Sequence, residues 1–462
     1  MHIVILGAGR VGESVAESLA SELNDITIID PDPDHVHQIE ERLEVRGVVG
    51  NGIQPSVLRR AGIEDADLFI ACASADETNL VACKVARTVF NVPTTVARLR
   101  SPEFEEGQAL LGPDGFGVDH VICPEESVMR YILQLIDYPE ALQVLEFSQG
   151  RAHLIAVRVT ADGAFANHTI HEFRELFPAA TMRVVAVYRN DKELQVDPTT
   201  RVQPGDEVFV LADKAKIRAV LGAIHNFDQP VRRVMIAGGG KVGLRLARSL
   251  IGQCQVKIIE TDLKRCSYLA AELPSDTLVL HGDVADQDLL VQENVGEMDL
   301  FIALTSDDED NILSSMLAKR LGARRVIALI NRRIYADMMQ GSTIDIAISP
   351  AQTVIGELLA HVRRGDVAAV HSLRRGDAEA IEGIARGDAR TSRLVGRRVE
   401  QLELPHGARL CAVVRGVDDA CEVLMPHHDL VIQESDHVIF FLENKRLLRP
   451  VEKLFQVSAT FF

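Results

Sequence analysis

The sequence predicts an α/β fold, with two doubly wound parallel-sheet domains that are each followed by a smaller α+β domain. Three observations lead to this prediction. Apolar runs of strand length alternate with helical patterns, a glycine-rich GxGxxG motif follows the first run, and the whole arrangement returns half-way along the 462 residues. A repeat of this length indicates that the second half of the chain copies the first.

The repeat is visible in landmarks that keep nearly the same spacing. The motif Gly7-Ala8-Gly9-Arg10-Val11-Gly12 returns 231 residues later as Gly238-Gly239-Gly240-Lys241-Val242-Gly243. The segment DLFIA at Asp67 to Ala71 returns unchanged at Asp299 to Ala303, 232 residues later. The chain is therefore a tandem duplication.

Each copy opens with a βαβαβ pattern. In the first copy the elements are a strand, a helix, a strand, a second helix and a strand, with the apolar segments His2 to Leu6, Val11 to Ala20, Ile26 to Ile29 and Leu68 to Ala73. Strands and helices that alternate in this way form a parallel sheet covered by helices. We expect one such sheet in each half.

A further helix is predicted after each sheet, beginning at Pro124 and at Pro350, because proline is favoured in the first turn. Both helices carry an apolar stripe, formed by Val128, Ile132, Leu135 and Ile136 in the first copy and by Val354, Leu358 and Val362 in the second. The stripe could pack on its own sheet. An interface between halves or subunits is the other interpretation, because the helices follow the completed sheets.

The remainder of each copy is shorter and rich in strands. Arg183 to Arg189 matches Arg409 to Arg415, and Val208 to Ala212 matches Val438 to Leu442. The turn pairs Gly205-Asp206 and Ser435-Asp436 precede the last of these strands. A polar connector, His225 to Pro230, joins the halves. The predicted domains are residues 1–123, 140–225, 231–349 and 368–455.

Composition excludes several classes of protein. Lys and Arg number 49 against 67 Asp and Glu, and a net charge of −18 disfavours binding to nucleic acid. The seven cysteines form no CxxC pair, so neither a disulfide framework nor a zinc site is predicted, and a reducing cytosol fits better. The N-terminus is typical of a buried strand rather than a signal peptide, and no apolar run approaches the roughly 20 residues of a membrane span.

The glycine motifs indicate a phosphate site in each half. A lone GxGxxG is a weak signal, but here each motif follows a strand and opens a helix. The glycines then permit a tight turn and a close phosphate, while free helix N–H groups face the anion. The alternative is that the glycines serve only the turn.

An acidic residue ends the second strand of each copy. Asp30 follows Gly7 by 23 residues and Glu260 follows Gly238 by 22, which is where ribose hydroxyls are bound in such folds. A carboxylate repels a 2′-phosphate, so NAD or adenosine nucleotides are favoured over NADP.

Two further positions lie along the carboxyl edge of each sheet. Ser74 and Glu77, like Ser306 and Glu309, fit a capping box, with serine as N-cap. That role is structural. Contact with a nucleotide is the second interpretation for this helix start, where Asn79 and Asn311 also match.

Arg98 and Arg100 could hold additional phosphate oxygens. The other interpretation is that they are exposed arginines at a strand end. They align with Leu329 and Asn331, so only the first site has the charge for a triphosphate.

No catalytic or metal-ligating group is predicted. Neither large domain is followed by a histidine–carboxylate pairing, and the motifs HExxH, GxSxG and GxxxxGK[ST] are absent from the sequence. His35 and His37 could be two metal ligands, but an exposed polar helix start is the preferred interpretation.

These features together resemble the family of Trk potassium-uptake regulatory subunits, which are built from two regulator-of-potassium-conductance (RCK) units. The resemblance rests on the duplicated GxGxxG with its strand-end acids, the DLFIA segments followed by Asp/Glu-x-Asn, the run TTVARLRSPEF from Thr94 to Phe104, and GDEVFV from Gly205 to Val210. It covers essentially the whole chain. In that family each unit is a Rossmann-like N-terminal domain followed by a smaller RCK C-terminal domain.

The resemblance implies a non-enzymatic regulator in the cytoplasm, peripheral on the inner face of the cell membrane. It implies a homotetramer that forms a gating ring under an integral membrane potassium-translocating subunit of the Trk type. NAD(H) and ATP or ADP would bind the large domains and open or close the pore. Two alternatives remain open, a soluble NAD-dependent oxidoreductase with a duplicated fold and a regulator of an ion antiporter.

The resemblance also assigns nucleotide-binding residues by position, and these complete the candidates that the residue patterns indicate. Asn51 and Asp283 stand where the family approaches the adenine side of the ligand. The full first set is Gly7, Gly9, Arg10, Val11, Gly12, Asp30, Asn51, Ser74, Glu77, Arg98 and Arg100. The second set is Gly238, Gly240, Lys241, Val242, Gly243, Glu260, Asp283, Ser306 and Glu309.

Overall fold

The computed structural model divides the chain into two compact units. It describes residues 1–20, 24–101, 104, 108–176, 182–190, 192–224, 230–339, 343–362, 367–373, 378–416 and 421–457. Unit 1 comprises Met1–Arg130, Met235–Ile251 and Val256–Leu358, and unit 2 comprises Tyr131–Val234, Gly252–Gln255 and Leu359–Phe462. Most of the predicted connector, residues 225–229, lies outside the described residues.

The first sheet is six-stranded and parallel, as predicted. Its strands are β1 (His2–Leu6), β2 (Asp25–Asp30), β3 (Arg46–Val49), β4 (Leu68–Ala71), β5 (Thr94–Arg98) and β6 (His120–Ile122), in the order β3-β2-β1-β4-β5-β6. Residues Ile3 to Leu6 are at most 2% exposed, because helices cover both faces of such a sheet. The strand order reverses between β1 and β4, and ligands of doubly wound folds bind at that point.

Helices accompany the first sheet, and six of them lie within the described residues. They are α1 (Arg10–Ala20), α2 (Pro33–Arg42), α3 (Pro55–Arg60), α4 (Asp76–Phe90), α5 (Gln108–Leu111) and α6 (Pro124–Asp137). Helix α1 begins inside the glycine motif, so the motif joins β1 to α1. Helix α2 begins after Asp32, whose carboxylate accepts the N–H of Asp34 as an N-cap.

The first small sheet is antiparallel. It contains β7 (Ala141–Phe147), β8 (Ala152–Arg158), β9 (Met182–Arg189), β10 (Lys192–Leu194) and β11 (Glu207–Asp213), in the order β10-β9-β11-β8-β7. The helices α7 (Ile170–Leu176) and α8 (Lys214–Ile224) belong to the same segment.

The second six-stranded sheet repeats the first. Its strands are β12 (Arg233–Ala237), β13 (Gln255–Glu260), β14 (Leu278–His281), β15 (Leu300–Ala303), β16 (Arg325–Leu329) and β17 (Ile346–Ile348), in the order β14-β13-β12-β15-β16-β17. Its helices are α9 (Lys241–Leu250), α10 (Leu263–Glu272), α11 (Gln287–Gln292), α12 (Asp308–Arg320), α13 (Arg333–Met339) and α14 (Pro350–Val362). The matching strand order confirms the tandem duplication of the large domain.

The last sheet repeats the small one and shares its core. It contains β18 (Val367–Leu373), β19 (Ala378–Ile384), β20 (Ala408–Arg415), β21 (Glu422–Leu424) and β22 (His437–Leu442), in the order β18-β19-β22-β20-β21, and α15 (Leu448–Phe455) follows. One apolar cluster in unit 2 joins both five-stranded sheets, with Phe147, Leu154 and Phe209 from the first and Leu373 and Phe441 from the second. The two small domains therefore fold around a common core.

The turn pairs before β11 and β22 fold as predicted. Gly205 and Ser435 have φ values of +89° and +67°, in the left-handed region that such turns use. The aspartates that follow them, Asp206 and Asp436, are each 1% exposed and accept two hydrogen bonds from Arg189 and from Arg415. The sequence matched these arginines between the copies, but it did not reveal that they pair with the turn aspartates.

The apolar stripes of α6 and α14 are largely buried, although Ile136 at the end of the first stripe is half-buried. Val128, Ile132 and Leu135 are at most 1% exposed, and Val354 and Leu358 are fully buried. The side chain of Val362 lies outside the described residues. The first turns of α6 contact α9 of the other half, since Ser249 Oγ lies 3.6 Å from Met129 Sδ. Helix α6 therefore takes part in a contact between the two halves of the chain.

Candidate functional site: two nucleotide cradles

The first glycine motif forms a tight loop between β1 and α1. Gly7 has a φ of +104°, and a Cβ added there would lie 2.9 Å from backbone atoms of Cys72 and Ala73 at the end of β4. A Cβ added to Gly12 would lie 1.8 Å from the carbonyl oxygen of Gly7. The backbone itself therefore requires both glycines, one for the turn and one for the close packing of α1.

Gly9 is different, because neither packing nor backbone conformation demands a glycine there. Within the described residues, no non-neighbouring atom lies within 4 Å of the position that its Cβ would take, and its φ is outside the left-handed region. A glycine with open space beside it at a helix start fits the close approach of a phosphate. We call this loop, Gly7 to Gly12, the first cradle.

The second cradle, Gly238 to Gly243, has the same geometry. A Cβ on Gly238 would lie 2.9 Å from backbone atoms of Leu304 and Thr305, and one on Gly243 would lie 2.1 Å from the Gly238 oxygen. Gly240, like Gly9, has no such atom within 4 Å among the described residues. Gly240 is also the N-cap of α9 and offers no side-chain cap, so the first-turn N–H groups are available to an anion.

The residues between the glycines start the two helices. Arg10 and Lys241 are the first residues of α1 and α9, and both side chains are exposed. Val11 is buried with 8% exposure, and Val242 is half-buried. Each cradle therefore places one cationic side chain beside the helix N-terminus, while the valine packs inward.

The strand-end acids face the cradles. Asp30 Oδ2 accepts the N–H of Ala8 at 2.7 Å, and Glu260 Oε2 accepts the N–H of Gly239 at 2.9 Å. The second oxygen of each accepts a hydrogen bond from the N–H two residues on, that of Asp32 or Asp262. Each carboxylate thus stands against its glycine loop, where a ribose hydroxyl could donate to it. The sequence predicted this position but not that the acid also fixes the loop.

Asn51 and Asp283 occupy equivalent turns after β3 and β14. Asn51 Oδ1 accepts the N–H of Ile53 at 3.2 Å, and Asp283 Oδ1 accepts the N–H of Ala285 at 2.9 Å. Both side chains are exposed. They lie beyond the strand next to the acid, on the carboxyl edge of the sheet.

The predicted capping boxes are wrong. The N-cap of α4 is Ala75 and that of α12 is Asp307, one residue later in each copy than Ser74 and Ser306. In the second copy the carboxylate of Asp307 itself accepts the N–H of Asp310 as the cap. In both copies the residue after the N-cap, an aspartate, also holds the helix start. Asp76 accepts the N–H groups of the two residues after Leu99, and Asp308 accepts those of the two residues after Ile330. These bonds hold the helix start against the neighbouring strand end.

The four residues assigned to those capping boxes stay at the edge of the sheet. Ser74, Glu77, Ser306 and Glu309 are all exposed. Glu309 is engaged, because its Oε1 lies 2.8 Å from Arg332 Nη1 and accepts from Tyr335 Oη at 3.2 Å. The chain therefore leaves these side chains at the edge where a ligand would lie.

Asn79 and Asn311 are structural rather than ligand-facing. Asn79 is fully buried, accepts the N–H of Ala73, and donates to the carbonyl oxygens of Ala73 and Arg98. Asn311 makes the same three bonds, to Thr305 and Leu329. The amide ties the loop after one strand to the end of the next.

Replacing Asn79 with alanine is expected to lower the stability of the folded chain. The substitution leaves one N–H and two carbonyl groups without their partner, which costs about 2 to 4 kcal/mol in total. The midpoint of thermal unfolding should fall, and differential scanning calorimetry would measure it. The control is Val81→Ala on the exposed face of the same helix, which should leave the midpoint nearly unchanged. Equal midpoints for both variants would contradict the structural role.

Arg98 and Arg100 lie at the carboxyl end of β5. Neither Nε has a hydrogen-bond partner among the described residues, although Arg100 Nε lies 3.4 Å from Glu125 Oε1. Burial and the neighbouring positive charge of Arg100 lower the pKa of Arg98. An anion bound here would satisfy the free N–H groups and relieve the repulsion between the guanidinium groups.

The carboxyl edge of the sheet carries more acidic residues at the second cradle than at the first. Strand β16 of the second copy ends in Leu329, and three carboxylates of this copy, Asp283, Asp307 and Asp310, replace Asn51, Ala75 and Thr78 of the first copy. Burial and the charges of Asp307 and Asp283 raise the pKa of Asp310. A highly charged anion is therefore less favourable here.

Sequence reasoning missed Arg332, which partly offsets that charge. Arg332 stands one position after the alignment partner of Arg100 and pairs with Glu309. Its guanidinium carbon lies 5.1 Å from the ring centre of Tyr335. The sequence does show a basic residue next to Asn331. A residue-by-residue alignment of the two copies pairs Arg100 with Asn331, so Arg332 was not considered.

Arg265, which contacts the second glycine loop, was also not identified from the sequence. It lies on α10 and donates from Nε to the Gly239 oxygen at 2.7 Å and from Nη2 to the Gly240 oxygen at 3.3 Å. In the first copy the equivalent residue is His35, whose Nδ1 is 3.8 Å from Asp30 Oδ1. The equivalent side chain therefore bonds to the glycine loop in the second cradle, whereas in the first it lies beside the strand-end acid.

The donor set at each cradle fits the phosphate and ribose groups of a nucleotide. Open N–H groups at a helix start suit a phosphate, and the strand-end carboxylate suits ribose hydroxyls. The part of the chain that the structure describes contains no group of three or more His, Cys, Asp or Glu residues placed to hold a metal. His37 lies 3.2 Å from Glu41, as expected of an exposed helix.

Comparison with known proteins places this fold in a family. The TrkA-N domain model matches residues 3–124 and 234–350, and the TrkA-C domain model matches residues 154–224 and 389–455. The chain is also 47% identical to the Trk system potassium uptake protein TrkA of Halomonas elongata, over all of both chains. The chain belongs to the TrkA family. It carries both TrkA domains in tandem, with each TrkA-N domain built around a parallel sheet and each TrkA-C domain around an antiparallel one.

A second TrkA protein and solved RCK structures are also similar to this chain. The Trk system potassium uptake protein TrkA of Vibrio alginolyticus is 46% identical over all of both chains. A crystal structure of the GsuK RCK domain superposes with a TM-score of 0.61 at 18% identity, covering 98% of this chain and 94% of that one. The GsuK channel bound to NAD gives the same TM-score at 17% identity, covering 98% and 78%. These structures share the fold of this TrkA-family chain.

None of the helices in the described part of the chain has both the length and the apolar character needed to cross a membrane.

Proposed function

We propose that this TrkA-family chain is a nucleotide-binding regulatory subunit of a potassium uptake system. The observation that carries the proposal is the pair of open glycine positions, Gly9 and Gly240, in a chain whose relatives along its whole length are Trk system potassium uptake proteins. The nucleotide acts as a signal and is not consumed, so the chain is not an enzyme. The domain boundaries 1–123, 140–225, 231–349 and 368–455 form part of this proposal.

NAD(H) is the ligand proposed for both cradles. The strand-end acids Asp30 and Glu260 favour an unmodified ribose, and a neighbour of the same fold, the GsuK channel, has been solved bound to NAD. ATP or ADP is proposed for the first cradle, because Arg98 and Arg100 bring two positive charges to its edge and neither Nε–H makes a hydrogen bond among the described residues. The more acidic second cradle then prefers the dinucleotide.

The partner is proposed to be an integral membrane potassium-translocating subunit of the Trk type. The chain would act from the cytoplasmic face of the cell membrane as a homotetramer, with its RCK domains forming a gating ring. A ligand shifts such a ring only by binding one of its shapes more tightly than another, by about 1 to 3 kcal/mol for a typical coupled site. The free-energy differences from several occupied cradles in one ring would add together.

Co-purification and transport together test this function. We expect the tagged full-length chain to retain an integral potassium transporter from solubilised membranes, and nucleotides to change potassium flux when both proteins are reconstituted in vesicles. Retention of an antiporter instead would support a different transport partner. Substrate-dependent oxidation of NADH by the purified chain would contradict a purely regulatory role.

Asp30 offers a test of the first cradle. Asp30→Ala should weaken the binding of any ribose-bearing nucleotide by about tenfold, because a carboxylate that accepts a ribose hydroxyl contributes about 1.4 kcal/mol or more. Titration calorimetry on the full-length chain measures the affinity. Asp30→Asn, which keeps one oxygen to accept the Ala8 N–H, separates the support of the loop from contact with the ligand. Unchanged affinity in Asp30→Ala would mean that the acid serves only the loop.

A further inference from the structure

One side chain joins the second cradle to the phosphate-binding edge of the first. Arg245 lies on α9, one turn after Lys241 at the start of that helix. Its Nη2 donates to the carbonyl oxygen of Arg100 at 3.2 Å, and its Nη1 lies 3.4 Å from Glu126 Oε2 and 3.4 Å from Cys123 Sγ. All of these contacts lie within unit 1.

Arg100 is fixed from three sides by this arrangement. Its N–H donates to the carboxylate of Asp76 at 3.0 Å, its Nε faces Glu125, and its carbonyl oxygen accepts from Arg245. Arg245 is only 20% exposed, so its ion pair with Glu126 is partly shielded from solvent. The main-chain position of Arg100 therefore depends on where α9 places Arg245.

The residues that make this contact differ between the copies. At the position equivalent to Arg245 the first copy has Ser14, and at the position equivalent to Glu126 the second copy has Gln352. A serine is too short to make this bridge, and a glutamine carries no charge to pair. The ion pair of Arg245 with Glu126 therefore has no counterpart at the equivalent positions of the repeat.

We propose that Arg245 is a positioning residue that couples the two cradles. A nucleotide on the N-terminus of α9 fixes the helix that carries Arg245, which then holds the Arg100 main chain in the position that binds phosphate. Occupancy of the second cradle thus tightens ATP binding at the first. This inference rests on the proposed nucleotide binding, and the coupling is reciprocal by thermodynamic linkage.

Titration calorimetry with ATP, in the presence and absence of saturating NADH, tests the coupling on the full-length chain. NADH also competes for the first cradle, so a Gly240→Ala variant with a disabled second cradle gives the competition-only baseline. We expect ATP to bind the wild-type chain in NADH about fivefold or more tightly than it binds this variant. Arg245→Gln should lower the ATP affinity measured in NADH to that of the Gly240→Ala variant. Combining Arg245→Gln with Gly240→Ala should cause no further loss of ATP affinity.

Two further variants make the test specific. Glu126→Gln breaks the same ion pair from the first half and should also reduce the NADH effect. Arg248→Gln is the control, because Arg248 lies on the same helix but pairs with Glu272 in its own half, and the NADH effect should persist. A full NADH effect in both Arg245→Gln and Glu126→Gln, with binding intact, would overturn the coupling alone. Absence of ATP and NADH binding in the wild-type chain would instead overturn the proposed function and the coupling with it.

Discussion

Gly9→Ala is expected to abolish most nucleotide binding at the first cradle while leaving the fold intact. An alanine can adopt the Gly9 backbone conformation, and within the described residues its Cβ meets no non-neighbouring atom within 4 Å. The methyl group instead occupies the space through which a phosphate reaches the α1 N–H groups. We expect a loss of about tenfold to a hundredfold in affinity, or about 1.4 to 2.8 kcal/mol. Calorimetric titration with NADH measures the loss.

The chain provides a matched control for this substitution. Gly12→Ala places a Cβ 1.8 Å from the Gly7 oxygen, so that variant must deform the loop and should also lower the unfolding temperature. Gly9→Ala should keep the unfolding temperature of the unmodified chain in the absence of ligand. If Gly9→Ala binds NADH as well as the unmodified chain does, the open space beside Gly9 is not a phosphate site.

Replacing Arg98 and Arg100 together with alanine is expected to weaken ATP binding far more than NADH binding. Both Nε groups lack a hydrogen-bond partner among the described residues, and the γ-phosphate of ATP is the group that can supply one. Charge-assisted hydrogen bonds of this kind contribute about 1.5 to 3 kcal/mol each, so the loss for ATP should exceed tenfold. NADH, which has no γ-phosphate, should lose less than threefold, roughly 0.65 kcal/mol.

The equivalent pair in the second copy is the control for this double substitution. Leu329→Ala with Asn331→Ala removes side chains from the same strand end but no charge, and ATP binding at the first cradle should not change. Titrations of ATP and NADH into both double variants give the comparison. Equal losses of the two nucleotides in Arg98→Ala/Arg100→Ala would remove the arginines from the phosphate site.

The parallel sheets and their glycine loops could be predicted because local chemistry dictates them. Apolar strands such as His2–Leu6 must be buried on both faces, and the GxGxxG spacing places its glycines at a tight turn, at an open helix start and at a close helix contact. The strand-end position of Asp30 follows from the length of one βαβ element. These features depend on residues close in sequence, so the pattern alone was sufficient.

The features that were missed depend on contacts between distant residues. At the capping boxes predicted for Ser74 and Ser306, Asp76 and Asp308 bind main-chain groups 24 residues away, which local propensity does not register. In the second copy the carboxylate of Asp307 also caps the helix in place of Ser306. Arg245 could not be recognised either, since its partners lie 119 to 145 residues earlier in the chain. Such pairings follow from how the copies pack, and a repeat in the sequence does not specify that packing.

The common apolar core of the small domains has a consequence for assembly in the cell. Phe147 and Phe441 come from different halves but belong to one cluster, so neither small domain buries its apolar face alone. Because both halves are translated as one polypeptide, they meet at a local concentration set by the intervening chain and not by expression level. Dilution should therefore leave this pairing intact. Expressing the halves as separate proteins should make it depend on protein concentration and expose a surface prone to aggregation.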